Sequence, residues 1–194
     1  MIAKGESRAI ELSPFAPGRV SLEMKMSVRA YPLQANGAVP NNPVCPVLLY
    51  RGHANGGEDD LAGYFERLFL SHGWGGSWRN GIFDLHHWHN TAHEVLGVFS
   101  GEASVQFGGE GGPVIEAVTG DVVVVPAGVA HKRVSKSGRL GVVGAYAGER
   151  HPDMCTPQRI SAELVRIVAA VPLPDFDPVY GANGPLFDHW RPAG

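Results

Sequence analysis

Hydrophobic and polar positions change period twice along this chain. Residues 26–35 alternate weakly, and Pro32 suits a strand at a sheet edge, where a missing N–H does no harm. Asn36-Gly37 and Pro40-Asn-Asn-Pro43 read as turns, and Pro46-Val-Leu-Leu-Tyr50 as a second strand. Over 59–72 the period becomes helical: Leu61, Tyr64, Phe65, Leu68 and Phe69 recur on one face. Asp59 or Asp60 can cap that helix and Gly73 can end it.

From Trp74 to Ala147 short apolar runs alternate with glycine and proline turns. The pattern predicts strands over Ile82–His89, Glu94–Ser100, Ala103–Phe107, Val114–Val118, Asp121–Val125, His131–Val134 and Leu140–Tyr146. Strands this short and this closely spaced indicate a sandwich or barrel. The loop Gly108-Gly-Glu-Gly-Gly112 opens no helix, so it reads as a hairpin turn and not as a phosphate cradle. A second helix is predicted over 158–171, with Ile160, Leu164, Ile167 and Val168 on one face, stopped by Pro172 and Pro174. Residues 177–190 read as an extended arm with aromatic anchors. Residues 1–25 read as a flexible extension, and 26–190 as one domain with its barrel core at about 78–147.

Composition agrees with a turn-rich β protein. Of 194 residues, 26 are Gly and 15 are Pro, and only 18% are charged. The net charge of -3 argues against a nucleic-acid partner, which selects a basic face. No apolar stretch approaches the roughly 20 residues that span a bilayer. Cys45 and Cys155 stand far apart in no CxxC pattern, which argues against a disulfide framework or thiolate metal ligation and makes the cytoplasm the default setting.

The chemistry is concentrated in two segments. Alternate side chains of a strand share a face, so His87 and His89 point one way and His86 and Trp88 the other, with Phe83 and Leu85 beneath the first pair. A turn at Asn90-Thr-Ala returns the chain so that Glu94 lies level with both histidines. His131 follows the turn Pro126-Ala-Gly128 and opens another strand. Three imidazoles and a carboxylate suit a divalent ion of the borderline class: Fe, Mn, Zn, Ni, Cu or Co. Four protein ligands on a six-coordinate ion leave two positions open. His93-Glu94 begins like a zincin helix, but Gly97 occupies the place of the second histidine. His93 is the alternative to Glu94 as a ligand, disfavoured because neighbours in a strand face opposite ways. His53, His72, His151 and His189 lie outside both segments.

The two segments resemble the paired motifs of the cupins. Gly81, His87, His89, Glu94 and Gly101 fit the first motif at every position. Gly120, Pro126, Gly128 and His131 fit the second, but Ser135 stands where the family has Asn. Thr91-Ala-His-Glu-Val-Leu-Gly97 and Asp177-Pro-Val-Tyr-Gly181 further resemble the YjlB-like bacterial cupins.

The resemblance implies a mainly β fold, a double-stranded β-helix (jelly-roll) barrel with a few peripheral helices. It implies His87, His89, Glu94 and His131 as ligands of one divalent metal ion. It further implies a metal-dependent enzyme of dioxygenase, decarboxylase or isomerase type acting on a small polar molecule, the alternative being a non-enzymatic sensor or binding cupin. A homodimer is expected through sheet edges and arms. Arg133, Ser135, Gln106 and Tyr146 are the candidate pocket residues, with Tyr50 as a further possibility. Arg133 suits an anionic group of a substrate. Glu94, as a ligand, is withdrawn from acid–base work.

Overall fold

The computed structural model describes residues 28–54, 57–148 and 151–191. The extension expected at 1–25 lies outside the described residues, as do the first two positions of the edge strand expected at 26–35. Seven strands form one antiparallel sheet: β1 (Val28–Tyr31), β2 (Val47–Tyr50), β3 (Trp74–Asn80), β4 (Glu94–Phe107), β5 (Val114–Val118), β6 (Val122–Val125) and β7 (His131–Ala147). Three helices are peripheral: α1 (Leu61–Ser71), α2 (Ala162–Ala169) and α3 (Leu186–His189). The strand order is β1-β2-β6-β4-β7-β3, with β5 added to the far half of β4.

The long strands β4 and β7 make the sheet a jelly roll. They pair from Glu94↔Tyr146 to Phe107↔His131, with register shifts between Val98 and Glu102 and again at Ser104/Val105. β6 covers the other edge of β4 over Glu94–Gly97, and β5 covers it over Glu102–Gln106. The ribbon bends at those shifts and folds its two halves face to face. Gly101 sits at the bend with φ 71°, and a Cβ there would lie 2.9 Å from the Ser137 carbonyl oxygen. Each long strand contains two of the predicted strands. The Gly101 and Ser137-Gly138 signals read as breaks, but pairing between the strands continues across them.

Alternation sorts the side chains into two cores. Val47, Leu49, Leu96, Val98, Val105, Val123, Val125 and Val142 fill the barrel interior. Leu48, Tyr50, Val95, Val122, Val124, Val143 and Ala145 face outward, under α1 and the C-terminal arm. Helix α1 forms as its period predicts, and Asp60 caps it by accepting from the Gly63 N–H at 2.9 Å. Phe65 and Phe69 are fully buried against Gly97, where a Cβ would come within 2.8 Å of Phe65. Burying each ring stabilises the packing by about 2–3 kcal/mol.

Several expected elements differ. Ile82–His89 is not a strand; within it His87 and Trp88 alone form isolated bridges, to His131 and Cys155. The strand lies one segment earlier, in β3, which pairs with β7 through a register shift between Gly75 and Trp78. Phe83 and Leu85, expected beneath the histidines, are half exposed. Helix α2 starts at Ala162 because Gln158 and Ile160 donate to the carbonyls of Ala38 and Gly37. Ile167, expected on its buried face, is exposed, and Val168 alone is buried.

The C-terminal arm is anchored by Asp177. Its carboxylate accepts from the Tyr50 hydroxyl at 2.7 Å and from the backbone N–H groups of Val179, Tyr180 and Leu186. The end of the arm, expected to be extended, turns into α3, and Trp190 donates to the Pro46 carbonyl.

Candidate metal centre

The His-x-His segment is laid into place by backbone pairing on two sides. His87 and His131 exchange N–H···O bonds at 3.2 and 3.0 Å, and Gly128 donates to the His89 carbonyl at 2.7 Å. On the other edge Trp88 and Cys155 exchange bonds at 3.0 and 2.9 Å. Trp88 is fully buried beneath that edge with Val39 and Ala130. His86 turns away from the centre, with Nε2 3.3 Å from Glu110.

His87, His89, Glu94 and His131 are all buried and converge on one cavity of about 280 Å³. The His87 and His131 rings lie 4.2 Å apart, and His89 lies 5.9 and 6.5 Å from them. Each ring commits Nδ1 to a backbone carbonyl: His87 to Leu85 at 3.2 Å, His131 to Val129 at 3.3 Å, and His89 to Asp153. Such bonds select the tautomer whose Nε2 carries a lone pair. Glu94 Oε1 lies 3.7 Å from His89 Nε2, and Glu94 Oε2 lies 3.4 Å from His131 Nε2. That Oε2 atom is buried and accepts no hydrogen bond.

The electrostatics follow from burial and crowding. Desolvation, reinforced by neighbouring His87, pushes His131 down to about 3. Desolvation likewise lowers His87. His89 is also disfavoured as a cation by burial, but the Glu94 carboxylate and Asp153 outweigh this and raise it. Burial opposes the Glu94 carboxylate, yet the surrounding imidazoles hold it below its ordinary value.

Of the four candidate pocket residues, Tyr146 lines the cavity. Its hydroxyl accepts from Trp78 Nε1 at 2.9 Å, and its ring meets His89 edge-on. Burial and the nearby Glu94 charge raise its pKa, so the phenol keeps its proton. The other three lie elsewhere. Arg133 turns to Asp84 at 3.5 Å, Ser135 bonds Ser104 on the outer half of the ribbon, and Gln106 donates to the Gly112 carbonyl across its hairpin. Tyr50 belongs to the outward core with Asp177. His93 faces outward too: Nδ1 accepts from the Ala127 N–H and the ring packs on Trp190 at 4.7 Å.

Trp78, Ile82, Phe83, Leu96 and Met154 also line the cavity. Leu96 carries a sequence signal, because it shares parity with Glu94. Asp153 and Met154 carry none: they come from beyond the barrel and reach it only through the Trp88–Cys155 pairing. The Asp153 carboxylate binds the Asn90 and Thr91 N–H groups, the Asn90 side-chain amide and the Thr91 hydroxyl, fixing the turn after His89.

A jelly roll folded from one bent ribbon, with three histidines and a glutamate gathered between its halves, is the architecture of a cupin. No family model matches the chain. It is 39% identical over 168 residues to the uncharacterized protein YjlB of Bacillus subtilis (strain 168), across 86% of this chain and 99% of that protein. The chain belongs to the family of YjlB. Partial likenesses to solved structures include acireductone dioxygenase from Bacillus anthracis with a cadmium ion in its active centre (19% identity, 44% of this chain and 58% of that one, TM-score 0.34). A mutant of Bacillus subtilis oxalate decarboxylase is similar over 58% of this chain and 28% of its own (20% identity, TM-score 0.34). Among the described residues no helix is long and apolar enough to cross a membrane.

Proposed function

We propose that this protein is a metal-dependent enzyme whose divalent ion is held by His87, His89, Glu94 and His131. The observation that carries this reading is the convergence of three imidazoles, each with Nδ1 committed to a carbonyl, around a buried carboxylate oxygen that accepts no hydrogen bond. Left alone, such an oxygen costs about 1–3 kcal/mol or more. Two donors each about 2.1 Å from one ion sit about 3.0–3.4 Å apart, close to the Glu94 spacings to His131 and His89 of 3.4 and 3.7 Å. Neutral nitrogens with one carboxylate suit Fe, Mn, Zn, Ni, Cu or Co.

When bound, the ion supplies Lewis acidity or redox chemistry at its open positions, which suits dioxygenase, decarboxylase or isomerase reactions on a small molecule with a polar head. The chain's own groups do the rest. Tyr146 stays protonated, its oxygen accepts from Trp78, and its O–H is directed at the Glu94 carboxylate, which it helps to orient. Leu96 and Ile82, both buried, make one wall apolar. The setting we infer is the cytoplasm. β1 and β3, the ends of the strand order, offer edges through which a homodimer pairs.

Metal analysis of untagged protein tests the centre. Near-stoichiometric metal is expected, lost in His87→Ala and His131→Ala. Protein that is folded, free of metal and unable to take any up would refute it. Light scattering at micromolar concentration tests the dimer, and a monomer mass would overturn it.

A further inference from the structure

The cavity beside the four site residues carries little charge in its wall. Counting three neutral imidazoles, the Glu94 carboxylate and a divalent ion, the centre carries a net charge of about +1. Among the described residues, Arg79 is the only lysine or arginine in the cavity wall. It does not serve the cavity. Along β3, Trp78 points inward to Tyr146, and its neighbour Arg79 points outward to α1. There Glu66 takes its guanidinium through paired bonds of 2.7 and 2.6 Å. Arg133 does not line the cavity and is turned to Asp84. The remaining wall carries two neutral polar groups, Asn80 and Tyr146, and is otherwise apolar, made by Ile82, Phe83, Leu96 and Met154 with the Trp78 ring. Phe83 and Met154 are 49% and 57% exposed at the mouth, so they are in place to close over an apolar body.

We propose, resting on the metal-centre reading above, that this cavity selects a singly charged chelating ligand with an apolar body and rejects small dianions. A monoanion neutralises the centre. A dianion leaves an uncompensated negative charge in a buried site, which is costly without a cation. The apolar wall supplies affinity only to a ligand that covers it. At about 280 Å³, the space holds roughly nine water-sized groups, enough for a chelating head and one small ring or branched chain.

The test uses full-length protein loaded with Zn(II), which adds no redox chemistry. Benzohydroxamate, acetohydroxamate and oxalate are titrated, read by calorimetry and by Trp fluorescence, with zinc retention checked by dialysis. Benzohydroxamate is expected to bind at least tenfold tighter than acetohydroxamate and than oxalate. Phe83→Ser is expected to weaken benzohydroxamate at least threefold and leave acetohydroxamate within twofold. Phe83 is half exposed but its ring meets His87 edge-on at 5.1 Å, so zinc retention by the variant is checked in parallel. Zinc retained with oxalate binding as tightly as benzohydroxamate would overturn the selectivity and leave the metal centre standing. Equal hydroxamate affinities would overturn the role of the apolar wall. Failure to retain zinc would overturn the metal centre, and the selectivity with it.

Discussion

Glu94 Oε2 lies 3.4 Å from His131 Nε2, although Glu94 opens β4 and His131 pairs with Phe107 at its other end. A straight strand of 14 residues would hold its ends about 45 Å apart. The contact therefore exists only because the β4–β7 ribbon folds back on itself, and the bend at Gly101 is what joins the two halves of the centre.

Gly101→Ala is accordingly expected to damage both fold and site. Its left-handed backbone disfavours any side chain by about 1–2 kcal/mol, and the 2.9 Å approach to the Ser137 carbonyl adds to this. Urea unfolding should show a loss of about 2–3 kcal/mol, with metal retention falling in parallel.

Metal affinity should depend on pH in one direction. His87 and His131 are held neutral by burial and Glu94 stays anionic, but His89 is raised above its ordinary value. Protons therefore compete chiefly at His89. Affinity is expected to be flat above its pKa, where no proton is released, and to fall about tenfold per pH unit below it, where one proton is released per ion bound. Calorimetry in buffers of different ionisation enthalpy counts that proton; a release of two or three would contradict the assignment.

Asp153→Ala should weaken metal without unfolding the protein. The carboxylate fixes Asn90 and Thr91, and its own carbonyl orients His89. Losing such outer support costs metal affinity about 10–100-fold. Competition with a chromophoric chelator measures it, alongside an unchanged unfolding midpoint within a few degrees.

Tyr146→Phe removes the acceptor of the Trp78 indole N–H. An unsatisfied half-buried donor costs about 1–3 kcal/mol. The variant is expected to keep its metal, to lose stability on that scale, and to shift the emission of Trp78.

Both thiols should be sluggish toward alkylating reagents. Burial pushes Cys45 up to about 12; burial and Asp153 push Cys155 up to about 11. At pH 8 the thiolate fractions are then about one in ten thousand and one in a thousand, rising tenfold per pH unit. Native and urea-unfolded protein, compared by a colorimetric thiol assay, should differ by more than tenfold in rate.

Alternation within short runs is a local property, and it was legible wherever the runs were unbroken. Leu61–Ser71 shows it for the helical period, and Glu94 against His93 for the inward face. The histidine segment shows the limit. His87 and His89 do share the site, but through bridges to His131 on one side and Cys155 on the other, not through the strand their spacing suggests. Ser135, Gln106 and Arg133 fell outside the cavity because partners on the ribbon, its hairpin and a neighbouring loop, Ser104, Gly112 and Asp84, decide where they point.

The sequence by itself determined the residue types, the spacing and the parity that turn Glu94, Leu96 and Tyr146 inward, because these depend on one strand at a time. Only the tertiary structure decided which strands are continuous, that Arg79 turns to Glu66, and that Asp153 from beyond the barrel reaches His89. Those outcomes depend on pairing between segments far apart in the chain, where the free energy of a bend or a buried contact is set by the partner and not by local sequence.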